Sequence, residues 1–195
     1  MRVIGGEFRS RRLKSVSGEA TRPTPDRLRE TLFDILAPRI RGVTFADAYA
    51  GTGAVGIEAL SRGAAHAYFL EKNRVALEAI RENLAALEIE ARATVVAGAV
   101  ARTLGLWSAD IVFVDPPYAL EREYAAAFAA LGASPPPLAI VQHSVHFKLP
   151  AAAGLEHTRD VRQGDNVLSF YVPAVGRTPP SAAGPLAGLP PVVGT

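Results

Sequence analysis

A glycine-rich turn between an apolar strand and a helix constrains this chain more than any other feature. Val43–Tyr49 reads as a buried strand, Gly51-Thr52-Gly53-Ala54-Val55-Gly56 follows it, and Ala54–Arg62 has helical composition with Gly63 as its C-cap. A Cβ in such a turn would block both the tight reversal and the close approach of a ligand to the backbone. Glu71 lies twenty residues after Gly51, at the end of a second apolar run, His66–Glu71. A carboxylate there can accept both hydroxyls of an adenosine ribose. These features alone leave open a dinucleotide or S-adenosylmethionine, since both present an adenosine to the same crevice.

Strand and helix go on alternating along the chain. Asn73 can cap a helix whose Leu77, Ile80, Leu84 and Leu87 recur at helical period. Ala93–Ala97 and Asp110–Val114 read as strands separated by a helical Val100–Leu106, and Leu120–Leu131 as the next helix. Pro135–Pro137 is a loop and Leu138–Gln142 a fifth strand; Glu156–Arg162 and Val167–Val172 are extended runs joined by a turn at Gln163–Asn166. The alternation predicts an α/β fold, a doubly wound and mostly parallel sheet with helices on both faces. The short last connection predicts an antiparallel hairpin at the sheet edge.

Three regions follow. Residues 1–22 form a basic arm or hairpin, and residues 23–172 form the α/β domain. Residues 173–195 are a tail of Pro, Ala and Gly, too poor in groups that bury to fold, and expected to be disordered. The domain opens with a helix at Thr24-Pro25-Asp26, where Thr can cap, Pro suits the first turn and Asp suits the positive helix end. Leu28, Leu32, Ile35 and Leu36 give that helix its apolar face, and Pro38 helps to end it.

Composition narrows the function classes. The absence of cysteine excludes disulfides and cysteine-ligated zinc, and His66, His143, His146 and His157 have no metal-ligand spacing, so no metal is expected. No apolar run approaches transmembrane length and Met1 to Lys14 lack a signal-peptide core, so a soluble, cytoplasmic protein is expected, with no membrane partner. Net charge is +2, but residues 1–41 hold ten Arg or Lys against five Asp or Glu. A basic edge on a slightly acidic body suits a polyanionic partner.

Asp115-Pro116-Pro117-Tyr118 decides between the two adenosine ligands. It follows the strand Asp110–Val114, whose carboxyl end sits beside that of the first strand in a doubly wound sheet. The lone pair of a base amino group is delocalised into the ring and must be localised before it can attack a sulfonium methyl. The Asp115 carboxylate and the Pro116 carbonyl can each accept one N–H of that amine, Pro117 stiffens the loop, and Tyr118 offers a face for an extruded base. Rate would come from in-line positioning and electrostatics.

The glycine turn and D-P-P-Y together resemble the class I methyltransferases that act on base amines. Arg2-Val3-Ile4-Gly5-Gly6 with Arg11-Arg12-Leu13, the block Arg22-Pro23-Thr24-Pro25-Asp26-Arg27-Leu28-Arg29-Glu30-Thr31-Leu32-Phe33, and Asp47-Ala48-Tyr49-Ala50-Gly51-Thr52-Gly53 running on to Glu58-Ala59-Leu60-Ser61-Arg62-Gly63-Ala64 are similar to the bacterial 16S rRNA guanine-N2 methyltransferases, the RsmD family. The likeness covers residues 1–172 and implies a Rossmann-like, seven-stranded class I methyltransferase sheet. It implies S-adenosylmethionine as cofactor, S-adenosylhomocysteine as product, and 16S rRNA as partner, within a small ribosomal subunit or its assembly intermediate. By the same resemblance Asp47, Ala50, Gly51, Thr52 and Gly53 hold the methionine end, Glu71 and Lys72 the ribose, and Asp115 to Tyr118 the target amine. Arg22, Thr24, Arg27 and Arg29 would face RNA at the catalytic mouth, with Arg9, Arg11 and Arg12 of the arm as further RNA contacts. Many class I enzymes place an acid after the third strand for the adenine amine, whereas this chain reads Ala97-Gly98-Ala99-Val100, so only Gly98 and Ala99 carry over. His143-Ser144-Val145-His146 could line the pocket, although ordinary loop histidines explain it as well. Transfer to adenine N6 or cytosine N4, and a non-catalytic RNA-binding assembly role on the same fold, are the alternatives; a monomer is favoured.

Overall fold

Seven strands form the middle layer of the computed structural model, which describes residues 1–16, 25–117 and 121–176. They are β1 (Thr44–Ala48), β2 (His66–Glu71), β3 (Ala93–Ala97), β4 (Ile111–Val114), β5 (Leu138–Ser144), β6 (Leu155–Gln163) and β7 (Asn166–Pro173). Their order is β3-β2-β1-β4-β5-β7-β6. The first five run parallel, and β7 is antiparallel to both β5 and β6. This is the doubly wound, mostly parallel seven-stranded sheet with an antiparallel edge pair that the alternation predicts.

The helices are α1 (Asp26–Leu36), α2 (Ala54–Ser61), α3 (Arg74–Ala86), α4 (Val100–Thr103) and α5 (Glu121–Ala133). Alternate residues of the central strands feed opposite faces. Phe45, Ile111, Phe113, Ile140 and Phe170 pack on Leu28, Leu32, Phe33 and Leu36 of α1. Ala46, Val112, Val114, Ala139 and Val141 pack instead on Tyr124, Phe128 and Leu131 of α5. Burial on both faces explains why β4 reads as an uninterrupted apolar run. The outermost strand β6 exposes Glu156, His157, Thr158 and Asp160, a polar edge that discourages further pairing.

Several boundaries differ from the sequence reading. α1 takes Pro25 as its N-cap, with ψ 138° and no side-chain cap bond, so Pro25 precedes the first turn instead of lying in it. Thr24, expected as the cap, lies outside the described residues. β1 stops at Ala48 because Tyr49 has φ 65°. The helical stretch after β3 divides into α4 and a 3₁₀ turn at Leu104–Leu106. β5 continues two residues further, to Ser144. Arg62 caps α2, and Gly63 follows it at φ 104°.

The N-terminal arm is a minimal antiparallel hairpin, with one bridge between Arg2 and Arg12 and a bond from Val3 N to Arg11 O of 3.0 Å. Val3 and Leu13 are buried against Ile57, Leu60, Leu84 and Leu87. The expected tail lies outside the described residues from 177 onward. No helix among the described residues is long and apolar enough to cross a membrane.

Candidate active site

In an open α/β sheet, ligands bind outside the carboxyl ends of the strands where the winding reverses. Here that point lies between β1 and β4, and Ala48 pairs with Val114. The glycine loop and the Asp115–Pro117 segment therefore leave the sheet side by side, with Asp115 N donating to Ala48 O at 3.4 Å. Tyr49 (φ 65°), Gly51 (φ 56°) and Gly53 (φ 79°) are all left-handed and turn the chain sharply into α2. Gly56 serves packing: a Cβ there would lie 2.4 Å from Phe69 Cε1. Only glycine lets α2 lie this close to β2.

Three carboxylates converge on this edge. Asp47 on β1 is buried, and its Oδ2 accepts the Gly56 N–H at 2.8 Å. Glu71 at the end of β2 accepts Gly51 N at 2.9 Å with Oε2, and Lys72 N and Asn73 N at 2.8 Å with Oε1. Asp115 follows β4 and is half-buried. Burial pushes the Asp47 carboxyl well above the usual carboxylate range against the opposing Gly56 amide, and the charges of Asp115 and Glu71 push it further. Such mutual repulsion favours a cationic ligand and disfavours a diphosphate.

This donor and acceptor set fits S-adenosylmethionine, which carries a sulfonium and an ammonium. Ala50, Gly51, Thr52 and Gly53 share the loop after β1, while Glu71 and Lys72 end β2. Gly98 and Ala99 follow β3, with Gly98 N donating to Glu71 O at 2.9 Å. Pro116 is buried and Pro117 exposed, whereas Tyr118 lies outside the described residues. Asn73 caps α3 as its sequence predicts, accepting from Val75 N at 2.9 Å and Ala76 N at 3.2 Å.

The basic residues divide. α1 runs antiparallel to the strands, and Gln163 at the end of β6 donates to Thr31 Oγ1 at 3.3 Å, so the first turn of α1 lies at the carboxyl edge. Arg27 is exposed there. Arg29 corrects the sequence reading: it is fully buried and cannot present its side chain to RNA at the surface. Its Nη2 donates to Arg2 O at 2.6 Å and to Asp26 Oδ1 at 3.0 Å, and its Nε lies 3.9 Å from Glu58 Oε2. The helical spacing that points Leu28, Leu32 and Leu36 inward leaves Arg29 beside α2, where Glu58 receives it. Arg9, Arg11 and Arg12 are exposed on the arm. Arg11 donates to Ala86 O at 2.7 Å, at the end of α3, so it sits at the opposite edge of the sheet from Asp115. Arg22 and Thr24 lie outside the described residues.

His143 lies within β5 instead of in a loop. It is buried, with Nε2 2.8 Å from Ser169 Oγ and Nδ1 2.9 Å from Ser144 O. Burial lowers its pKa against the opposing Ser144 carbonyl. Ser169 in turn donates to Asp160 Oδ1 at 2.6 Å, so the network holds the strand edge together.

Two contributors escape the sequence reading. Glu58, fully buried, accepts Ile4 N and Gly5 N at 2.8 Å and Arg62 Nε at 2.9 Å, and so anchors the arm. Glu123, in the first turn of α5, pairs with Lys72 at 3.0 Å and with the Tyr49 hydroxyl at 3.0 Å. Glu58 falls in the stretch that resembles the family and shows otherwise only as an acid in a largely apolar helix; Glu123 gives no signal, because its partners lie 51 and 74 residues away.

The family described as Conserved hypothetical protein 95 matches residues 1–172. The chain is 42% identical over 119 residues to Ribosomal RNA small subunit methyltransferase D of Escherichia coli K12, covering 60% of each chain. It is 38% identical over 123 residues to YlbH of Bacillus subtilis 168, named as a candidate rRNA methyltransferase, covering 60% of this chain and 67% of that one. The matched stretch thus spans about 60–67% of these curated relatives. Among solved structures, the candidate methyltransferase yhhF from Escherichia coli superposes with a TM-score of 0.74 at 33% identity, covering 89% of this chain and 97% of that one.

Proposed function

The chain belongs to the Conserved hypothetical protein 95 family, the RsmD-like family its motifs resemble, and from that premise we propose that it transfers a methyl group from S-adenosylmethionine to the N2 amine of a guanine in 16S ribosomal RNA. The observation that carries this reading is the meeting of Asp47, Glu71 and Asp115 at the switch point, where the charges of Asp115 and Glu71 add to burial in raising the proton affinity of Asp47 and the cluster suits a cationic methyl donor. S-adenosylmethionine supplies an electrophilic methyl on a sulfonium. Glu71, with both oxygens already fixed by three backbone amides, is a preorganised acceptor for ribose hydroxyls. Asp47 ties β1 to α2 through the Gly56 amide and holds the turn beneath the methionine end.

On the acceptor side, Asp115 accepts one N–H of the amine and the Pro116 carbonyl the other, which draws the nitrogen towards tetrahedral geometry. Their position follows from the pairing of β4 with β1, which sets the amine grip next to the cofactor turn. Arg27 at the mouth and Arg9, Arg11 and Arg12 on the arm supply cationic contacts for phosphate. The small-subunit rRNA named for the relatives supports a partner in the small ribosomal subunit or its assembly intermediate.

Transfer of labelled methyl to unmethylated small subunits, naked 16S rRNA and duplex DNA tests the reading. Asp115→Ala is expected to lower transfer by roughly 10²-fold or more, as expected for loss of a group that grips the reacting amine. Affinity for S-adenosylmethionine should stay near that of the unaltered chain. Label in DNA alone would move the acceptor to adenine or cytosine, and a large loss of cofactor affinity would remove Asp115 from the role given it.

A further inference from the structure

One carboxylate gathers three segments around the crevice. Tyr49 immediately follows β1, Lys72 immediately follows β2, and Glu123 lies in the first turn of α5, the next helix after the Asp115–Pro117 segment. The Tyr49 hydroxyl lies 3.0 Å from Glu123 Oε2 and 3.2 Å from the Glu123 carbonyl, and Lys72 Nζ donates to Oε1 at 3.0 Å. Both carboxylate oxygens of Glu123 are therefore engaged from across the mouth. Its side chain is 15% exposed, whereas that of Lys72 is 52% exposed.

Three features argue that this is more than a surface ion pair. Tyr49 adopts φ 65°, a region that bulky residues rarely enter and that persists only where the surroundings enforce it. Glu123 is held ionised below the usual range chiefly by the Lys72 hydrogen bond, which outweighs the opposing effect of burial, with a lesser contribution from the Tyr49 hydroxyl. The rest of α5 is fixed to the sheet face by Tyr124, Phe128 and Leu131, which set its depth. Apolar packing is non-directional, so it leaves the lateral placement of the first turn to polar contacts. The Tyr124 hydroxyl supplies one, donating to Gln142 O on β5 at 3.0 Å, and Glu123 supplies those to the cofactor loop on one side and the ribose-side loop on the other.

We propose that Glu123 is a positioning residue, which through Tyr49 and Lys72 holds the amine-accepting segment against the cofactor edge of the crevice. This role rests on the methyltransferase reading above. The two contacts differ in strength: Tyr49 to Glu123 is partly buried and charge-assisted, whereas Lys72 to Glu123 is exposed and screened. Tyr49→Phe keeps the ring and loses only the hydroxyl.

Two readouts test the inference. In the transfer assay, Tyr49→Phe should lower kcat about tenfold, the effect of losing one hydrogen bond to a charged group. KM for S-adenosylmethionine should change little, and Lys72→Met should lower kcat about twofold or less. The double variant Tyr49→Phe with Glu123→Ala should lose clearly less than the two single losses combined, since both remove the contact between the Tyr49 hydroxyl and the Glu123 carboxylate. Hydrogen exchange at residues 124–127, measured without any substrate, should quicken about tenfold in Tyr49→Phe while the strands keep their protection. Unchanged exchange, or fully additive losses in the double variant, would overturn the role. If exchange responds but the unaltered chain methylates no nucleic acid, the methyltransferase reading fails and the positioning role falls with it.

Discussion

Gly56→Ala probes how the glycine turn is built. The added carbon would sit 2.4 Å from Phe69 Cε1 and 2.9 Å from Cζ. Ordinary carbon contacts are about 3.5–4.0 Å, so α2 and β2 must separate locally by about 1 Å. Phe69 cannot retreat, because it is fully buried in a cluster with Ile57, Leu60 and Ile80. Overpacking of this kind costs ~1–3 kcal/mol, and the better helix propensity of alanine offsets ~1 kcal/mol of it. Because the ring is immobile, the upper part of the range applies, leaving a net loss of about 1–2 kcal/mol. In a domain of this size that lowers Tm by about 2–8 °C. Cofactor affinity should fall as well, because Gly56 N–H is the donor that fixes Asp47. Thermal melting with titration of S-adenosylmethionine reads both effects. Gly105→Ala is the control, since nothing lies within 4 Å of its Cβ, and its stability should change by less than ~0.5 kcal/mol. A Gly56→Ala chain that melts at or above the unaltered temperature and binds cofactor normally would refute the close-packing argument.

Two further perturbations test other parts of the account. Glu58→Ala strips the buried Arg29 of its nearest buried acid and frees Ile4 N and Gly5 N, so stability should fall by ~3–5 kcal/mol and trypsin should cut the arm at Arg9, Arg11 or Arg12. An unaltered urea midpoint with a protected arm would contradict this anchoring. Asp47→Asn acts through pH. A carboxyl whose folded pKa is raised binds its proton more tightly folded than unfolded, so its contribution is most favourable below the ordinary carboxylate range and declines as pH rises towards the folded pKa. Asp47→Asn should remove that decline while weakening cofactor binding. An unchanged slope of stability against pH would argue that the acid is not buried in the way described.

The backbone plan was legible in the sequence because burial on both faces writes strands as apolar runs, and glycine at positions 51, 53 and 56 answers a local demand of φ or of clearance. The ends of elements were less legible. Tyr49 leaves β1 early because of a left-handed φ that no propensity favours, and Pro25 stands before α1 instead of in its first turn. Arg29 shows a different limit. Its neighbours Arg27 and Glu30 are exposed, and only the tertiary contact with Glu58 and the Arg2 carbonyl explains an arginine on the inward face. Glu71 and Asp115 follow from spacing and motif and Asp47 from the family resemblance, but the influence of Glu71 and Asp115 on Asp47 is a property of strand order. Glu123 was invisible for the same reason, since β1 and β2 bring Tyr49 and Lys72 to α5 only once the sheet is wound.

The central claim is that the carboxyl edges of β1, β2 and β4 form one methyl-transfer site for a base amine in ribosomal RNA. The most direct test is to incubate the protein with labelled S-adenosylmethionine and unmethylated small subunits, digest the 16S rRNA to nucleosides and identify the labelled one, with Asp115→Ala run alongside. The account predicts N2-methylguanosine from the unaltered chain and roughly 10²-fold less or lower still from the variant, at equal cofactor affinity. Label of equal yield in both, or no label in rRNA with cofactor fully bound, would contradict it.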